Sequence, residues 1–277
     1  MQAETWGTLG PRRSDAQSRL LRVLETPCAT LRHAFYDAGA KVGWHEHETA
    51  TLVYGVGGPC IERDSNGREC VKRRFSYHPP GYAHSLGYEA PTHVLAIELD
   101  AKISASLPLQ SRRLPATLYD GLWELFVTIG RSASDRRSHE IIEALVSDVL
   151  TFLGDELPPR VSAVMESLHA EWNNPLEPAQ TASQFGVSPQ LIRREFKRAL
   201  GTTLSDYRRL IQLDYARGLL WGTRSRISDV AAQTAFSDQS HLCRVLKEHT
   251  QLSPLELRQI APCLVKQLRA LEINPID

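Results

Sequence analysis

Two sets of side chains in this 277-residue sequence have the types and spacing to do chemistry. The first lies in Ser188–Lys197, SPQLIRREFK. Read as a helix, it puts Ile192, Phe196 and Leu200 on one side, and Gln190, Arg193, Arg194 and Lys197 on the other. Arg can make two hydrogen bonds to guanine, Gln can do the same to adenine, and Lys neutralises a phosphate. A core-packed helix with such a stripe suits the major groove of DNA; a solvated helix face is the plainer alternative. The second set is His45, His47 and His84. His45 and His47 are two apart, so on a strand both point to one face, and Thr51 has the same parity. His84 follows a proline-rich turn in PPGYAH. Three imidazoles converging inside a barrel either hold a divalent metal or face a ligand with no metal bound. His33, His78 and His93 lack such company and read as ordinary strand or loop residues.

The basic stripe occurs twice. A shift of about fifty residues puts Ala182 on Ala232, Ile192 on Leu242, Arg194 on Arg244, Phe196 on Leu246 and Lys197 on Lys247. The second helix, about Asp238–His249, buries Leu242, Val245 and Leu246 and exposes Ser240, Cys243, Arg244 and Lys247. Each copy follows a short helix and a tight turn, which predicts two helix-turn-helix units. Ser188 is the expected N-cap of the first recognition helix, Ser237 or Asp238 that of the second. A long helix over about 203–221 separates the units, and Ser228 is the expected cap of the short helix after it.

The histidines need a different scaffold. From about Thr30 to Asp100 the sequence runs in short β-type segments broken by Gly, Pro and Asn-Gly signals, which predicts a small antiparallel barrel or sandwich. Trp44 and Leu52 have opposite parity to His45 and pack outside it. A hairpin turning at Asn66-Gly67 with a two-residue loop would set Cys60 opposite Arg73 and Cys70 opposite Arg63. The five cysteines are then reduced thiols rather than cross-strand partners. Residues 101–117 read as a linker, followed by helices at roughly 118–131 and 137–153. The second carries a wide apolar stripe, Ile142, Leu145, Val146, Val149, Leu150 and Leu153. It packs on its own barrel or forms a dimer interface. GDELPPR at 154–160 marks a domain boundary.

Composition adds limits. Lys+Arg and Asp+Glu balance at 32 each, so no global field favours nucleic acid. Residues 158–277 carry 15 basic against 12 acidic side chains, a mild excess whose placement matters more than its size. The start, MQAETWGTLGPRRSD, has no apolar core for a signal peptide and no long apolar run follows. The expectation is a cytoplasmic protein with no membrane partner.

Two resemblances follow from these residues. His45-Glu46-His47 and Pro79-Pro80-Gly81-Tyr82-Ala83-His84 resemble the two motifs of the cupin family. That likeness implies a jelly-roll barrel with an internal pocket. The family's carboxylate position is Thr51 here, which departs from its metal-binding pattern. The second is carried by Ile227-Ser-Asp-Val-Ala-Ala, by Ala235-Phe-Ser-Asp-Gln-Ser-His-Leu-Cys-Arg-Val-Leu-Lys and by Ser253-Pro-Leu-Glu-Leu-Arg258. These are similar to the signature of the AraC/XylS family of bacterial transcriptional regulators. The family's usual glycines are Ala235 and Gln251 here. Gln251 bears on the last turn, since Gly tolerates positive φ and Gln does so poorly.

Together the resemblances imply a multidomain α+β chain. Residues 1–105 would be a cupin-like effector-binding domain with an N-terminal arm. Residues 106–157 would be a helical, dimerising linker, 158–262 the DNA-binding domain with two helix-turn-helix motifs, and 263–277 a tail. Carried over by position, Gln190, Arg193 and Arg194 face bases in the first helix. Gln239, Ser240, His241, Cys243 and Arg244 do so in the second, with Lys197 and Lys247 on phosphates. Arg244 could instead pair with Asp229. The effector would meet His45, His47, Thr51 and His84, and a metal would sit on His45, His47 and His84. The expected protein is not an enzyme and needs no cofactor beyond that metal. It is a homodimeric, effector-responsive regulator that binds double-stranded DNA, and would meet RNA polymerase if it is an activator. The competing expectation is a cupin dioxygenase joined to a DNA-binding module.

Overall fold

The computed structural model describes residues 4–5, 18–58, 60–67, 69–72, 75–131, 135–173 and 182–260. Expectations for Arg73 and for the tail at 263–277 lie outside these residues. The chain divides into a sheet unit, chiefly residues 1–114 and 121–154, and a helical unit of residues 115–120 and 155–258.

Eleven strands among the described residues make two sheets. In chain order they are β1 (Glu4–Thr5), β2 (Ser18–Glu25), β3 (Ala29–Tyr36), β4 (Lys41–Glu46), β5 (Thr51–Gly57) and β6 (Cys60–Asp64). Next come β7 (Glu69–Lys72), β8 (Phe75–His78), β9 (His84–Tyr88), β10 (Thr92–Leu99) and β11 (Arg112–Arg113). One sheet has the order β1-β4-β9-β6-β7, the other β11-β8-β5-β10-β3-β2. All pairs are antiparallel except the short β1–β4 pair, and the strands form two sheets rather than one closed barrel. Alternation supplies the apolar filling between the sheets. Tyr88, Val42, Leu86 and Cys60 from one meet Val94, Tyr36 and Val53 from the other, with Tyr36 and Tyr88 stacked at 4.2 Å.

The outer face of the six-stranded sheet is covered by helices. The first, α1 (Ala101–Ser104), is capped by Asp100; α2 (Tyr119–Gly130) and α3 (Asp135–Gly154) follow. Phe126 of α2 sets its ring against His33 and His93 at 5.6 and 5.7 Å, and α3 packs on β2 and β3. The α3 stripe is therefore occupied. Ile142, Leu145, Val146, Val149 and Leu153 are all buried within the chain, and only Leu150 is half-exposed. Of the two alternatives for this stripe, packing within the chain accounts for these residues, with β2 and β3 beneath α3.

One further expectation changes. The hairpin pairs Cys60 with Lys72, Glu62 with Cys70 and Arg63 with Glu69, one residue off the two-residue-loop register. Gly67, at φ +75°, closes a longer loop by donating to the Asp64 carbonyl at 2.9 Å, and this extra residue shifts the pairing. Leu52 is fully buried, as its outward parity under helices requires.

The helical unit contains α4 (Pro159–Ala170), α5 (Pro189–Leu200), α6 (Leu204–Gly222), α7 (Ile227–Gln233), α8 (Gln239–Thr250) and a last helix, α9, at 254–260. The long α6 is the hub, in contact with α4, α5, α7 and α8. Its Tyr207 is fully buried; the hydroxyl meets His169 Nε2 and the Ala116 N–H, each at 3.1 Å, and the ring packs edge-on against Phe196 at 5.2 Å. Asp120 is held by Arg217 at 2.7 Å and by His249 at 2.6 Å. Burial opposes ionisation of that carboxyl, but His249 and Arg217 outweigh it and hold the pKa below the usual value.

Candidate functional site

Within the sheet unit, the three motif histidines converge, and two further residues join them. His45 and His84 are direct partners across β4 and β9. This depends on a register shift between Val42 and His45. Val42 opposes Leu86, and without the extra residue His45 would face Ala83 and turn to the other side of the sheet. His45 and His84 rings lie 4.2 Å apart, and His47, just past β4, is 5.3 Å from His45 and 5.7 Å from His84. Their candidate ligand nitrogens all lie within 4.8 Å of one another.

Glu62 and His78 complete the cluster. Glu62 opposes Leu86 on β9 and so shares the face of His84. His78 ends β8 in the other sheet, and a turn at Pro79–Gly81 brings the chain back to His84. Gly81, at φ +71°, donates to the His47 carbonyl at 2.9 Å, a backbone conformation that disfavours a side chain. His78 Nε2 is 3.3 Å from Glu62 Oε2, and the Tyr82 hydroxyl donates to Glu62 Oε1 at 2.8 Å. Glu62, His78 and His84 form a second group with metal-ligand spacing. Reading His78 as an ordinary residue is thus corrected. Its six-residue separation from His84 across a Pro-Gly turn was a local signal; nothing local pointed to Glu62. Thr51 opposes His78, but it is fully buried and its hydroxyl donates to the Thr49 carbonyl at 3.2 Å. It lies on β5, not on the strand of His45.

The electrostatics follow from burial. Desolvation, then the neighbouring imidazoles, push His47 down to about 3 and His84 to about 2; burial also lowers His45. The imidazoles are therefore neutral at pH 7. His33 and His93 make a separate buried pair at 3.0 Å, outside this cluster.

In the helical unit the arrangement is reversed. On α5, Ile192 and Phe196 are buried, while Gln190, Arg193, Arg194 and Lys197 are exposed. On α8, Leu242, Val245 and Leu246 are buried, while Gln239, Ser240, Arg244 and Lys247 are exposed. Two α8 positions are less open. His241 hydrogen-bonds with Ser237 at 3.1 Å and sets its ring against Phe236, and Cys243 is half-buried with its thiol pushed up by desolvation. Asp229 hydrogen-bonds with Ser228, and among the described residues no pair with Arg244 forms. Arg244 therefore stays on the exposed face of α8.

The same turn precedes both helices. The Val187 N–H donates to Ala182 and the Gly186 N–H to Ser183, each at 3.1 Å. In the second copy Phe236 donates to Ala231 at 2.9 Å and Ala235 to Ala232 at 3.3 Å. This is the six-to-one and five-to-two pattern of a Schellman turn. It matches Ala182 with Ala231, not with Ala232, so the repeat runs at 49 residues through the turn and at 50 in the helix. Ser237 is the extra residue, and Asp238 takes the cap, accepting from the His241 N–H at 2.8 Å as Ser188 does from Leu191. Arg226, not Ser228, stands at the α7 cap, with no side-chain bond. Ala235 and Gln251 both adopt positive φ, +56° and +58°, where Gly186 and Gly201 stand in the first copy. Gln251 does take up the left-handed conformation, with its N–H on the Lys247 carbonyl at 2.9 Å. Helix α9 opens with a capping box between Ser253 and Glu256.

The family match falls on this unit. Residues 181–260 match the helix-turn-helix domain family. The chain is 31% identical over 110 residues to the HTH-type transcriptional activator RhaR of Yersinia pseudotuberculosis, taking in 38% of this chain and 35% of that protein. It is 33% identical over 101 residues to the HTH-type transcriptional regulator GlxA of Rhizobium meliloti, taking in 36% and 31%. A transcriptional regulator with an AraC-type DNA-binding domain from Chromobacterium violaceum is 30% identical over 36% of this chain and 90% of its own, at a TM-score of 0.35. The likeness thus spans about a third of the length of the two curated relatives. The part of the chain that the family model matches is a helix-turn-helix domain. Both named relatives are described as transcriptional regulators.

Proposed function

We propose that this chain is a DNA-binding transcriptional regulator whose sheet unit receives a small effector. One observation carries the reading: two copies of one turn, each followed by a helix with a buried apolar face and an exposed Gln/Arg/Lys face, in the region that matches the helix-turn-helix family. The two copies act as two helix-turn-helix units. Gln190, Arg193 and Arg194 face bases from α5, and Gln239, Ser240, His241, Cys243 and Arg244 from α8; Lys197 and Lys247 meet phosphates. Helix α6, packed on both, fixes their separation to successive major grooves.

The sheet unit is read as a jelly-roll sandwich. Its polar interior, with His45, His47, Thr51 and His84, is the effector site. The sheet-plus-helices part, 1–157, is the sensing half and 158–262 the reading half of a cytoplasmic protein that acts as a homodimer; as an activator it would meet RNA polymerase. Effector binding changes DNA affinity only if the two states bind effector differently. Among the described residues no helix is long and apolar enough to cross a membrane.

The test is capture from sheared genomic DNA by the full-length protein, followed by sequencing. Enrichment of sites with two short conserved blocks about ten base pairs apart supports the reading. No enrichment, with or without cell extract as a source of effector, rejects it.

A further inference from the structure

We propose that Asp120, which the sequence puts in the helical linker, is a positioning residue for the second recognition helix, and that residues 115–120 are the strap through which a change in α2 reaches it. The consequence at DNA rests on the proposed function; the geometry does not.

The carboxylate is held from two sides. Asp120 Oδ1 accepts from Arg217 of α6 at 2.7 Å, and Oδ2 meets His249 Nδ1 of α8 at 2.6 Å. A carboxylate only accepts, so His249 Nδ1 carries the proton. Both distances are those of charge-assisted hydrogen bonds. Asp120 also stands in the first turn of α2, where the helix dipole favours a negative charge. One side chain thus joins the start of α2, the hub helix α6 and the last turn of α8. The strap is fixed at its other end by the Ala116 N–H, which donates to the Tyr207 hydroxyl at 3.1 Å. Residues 115–120, Tyr207, Arg217 and His249 all belong to the helical unit.

The repeat itself does not require the bond to His249. Fifty residues earlier stands Ala199, whose side chain has nothing to donate. Yet α5 has the same 12-residue length as α8, a like buried face and a like side-chain cap. Residues 181–260, which match the helix-turn-helix family, do not include Asp120 either. The bond is an addition to α8 in particular, and its place suggests its purpose. From Gln239 to His249 the helix runs about 15 Å. Its start is capped by Asp238, and its back is packed through Leu242, Val245 and Leu246. An anchor at His249 sets the tilt of the helix on that back. Hydrogen bonds from Gln239, Ser240 and Arg244 to base edges depend on distance and angle, so tilt governs them.

The strap has an input through α2. Phe126, less than two turns beyond Asp120, sets its ring against His33 and His93. A change at that sheet face that moves α2 moves Asp120 with it. A ligand drives such a shift only by as much as its affinities for the two positions differ.

The first experiment is hydrogen exchange on the free full-length chain. Asp120→Ala should speed exchange in the last turn of α8 at least about fivefold and leave α5 as in wild type. His249→Gln should do the same, and the two together no more than either alone. Phe126→Leu should speed exchange at the same amides, and add nothing in Asp120→Ala. Glu124→Gln, on the same helix, should leave α8 unchanged. Circular dichroism confirms that each variant is folded. No acceleration in α8, equal acceleration in α5 and α8, or an α8 that ignores Phe126→Leu would overturn the proposal. The second experiment is a footprint on a captured genomic site. Asp120→Ala should raise about 3–30-fold the protein concentration that protects the tract sensitive to Arg244→Ala, and spare the tract sensitive to Arg193→Ala. Equal weakening of both tracts, or of neither, would also overturn it. If the wild type captures no DNA, the regulatory reading fails, and hydrogen exchange alone decides the role of Asp120.

Discussion

In the sheet unit the groups that could do chemistry are taken out of water; in the helical unit they are left in it. His45, His84, Glu62 and His78 are each at most 5% exposed and are held by backbone carbonyls and by one another. Arg193, Arg194, Arg244 and Lys247 stand on solvated helix faces. The first arrangement suits a small ligand or ion that must replace water from all sides. The second suits a large anionic surface that brings its own partners, since side chains facing phosphates and base edges need freedom and charge more than enclosure. The scaffolds differ accordingly. The buried site needs strands from both sheets in correct register, while the exposed stripes need only a helix with a packed back.

The largest expected effect tests that packed back. Phe196 is fully buried against Tyr207, and Phe196→Ala should cost about 3–5 kcal/mol of stability in denaturant unfolding. DNA binding should fall with it. A cost below about 1 kcal/mol would mean that α5 is not anchored as described.

Next comes pH. Burial, then His93, lowers the pKa of His33, and burial, then Arg19, lowers His93 to about 4. Their folded pKa values lie below the unfolded value of about 6.5, so their stabilising contribution is full above that pH and is lost as pH falls below it. At pH 5 the loss from His93 should be about 2 kcal/mol, and His33 adds to it in the same direction. Urea midpoints between pH 7 and 5 measure it. A double variant, His33→Leu with His93→Leu, should show a shallower pH slope; an unaltered slope would assign the acid sensitivity elsewhere.

Smaller, and specific to the exposed region, is Arg193→Ala. It should lower specific DNA affinity by about 1–3 kcal/mol and relax preference at one base, with stability unchanged. Lys197→Ala should weaken all sites alike and reduce the salt slope by about one. An unchanged site profile for Arg193→Ala would remove it from base reading.

The smallest effect concerns the turn. Ala235 occupies a left-handed position that costs an L-residue about 1–2 kcal/mol, while Gly there forfeits about 0.4–1 kcal/mol through the unfolded chain. Ala235→Gly should therefore stabilise the protein by about 0.5–1 kcal/mol in thermal or urea melts. A loss of stability would show that the Ala235 methyl makes a contact worth more than the strain.

What could be read from the sequence divides along the same line. The stripes on α5 and α8 were legible because a helix is local: buried and exposed positions recur within twelve residues, and the second copy repeats them. His45, His47 and His84 were legible from short motifs. Glu62 was not, because its place depends on pairing with β9, on the far side of a hairpin whose register slips by one residue at Gly67. Likewise, the α3 stripe has the same pattern whether a sheet or a second subunit covers it, and only the packing on β2 and β3 decides. The alignment of the repeats, too, shifts at Ser237, one residue inserted ahead of the cap at Asp238 without disturbing periodicity.

The most direct test of the central claim is a hydroxyl-radical footprint of the full chain on a captured genomic site, compared with Arg193→Ala and Arg244→Ala. The account predicts two protected tracts on one face of the duplex, centred about one helical turn apart, each weakened by only one of the two substitutions. A single tract, or two tracts that neither substitution alters, would contradict it.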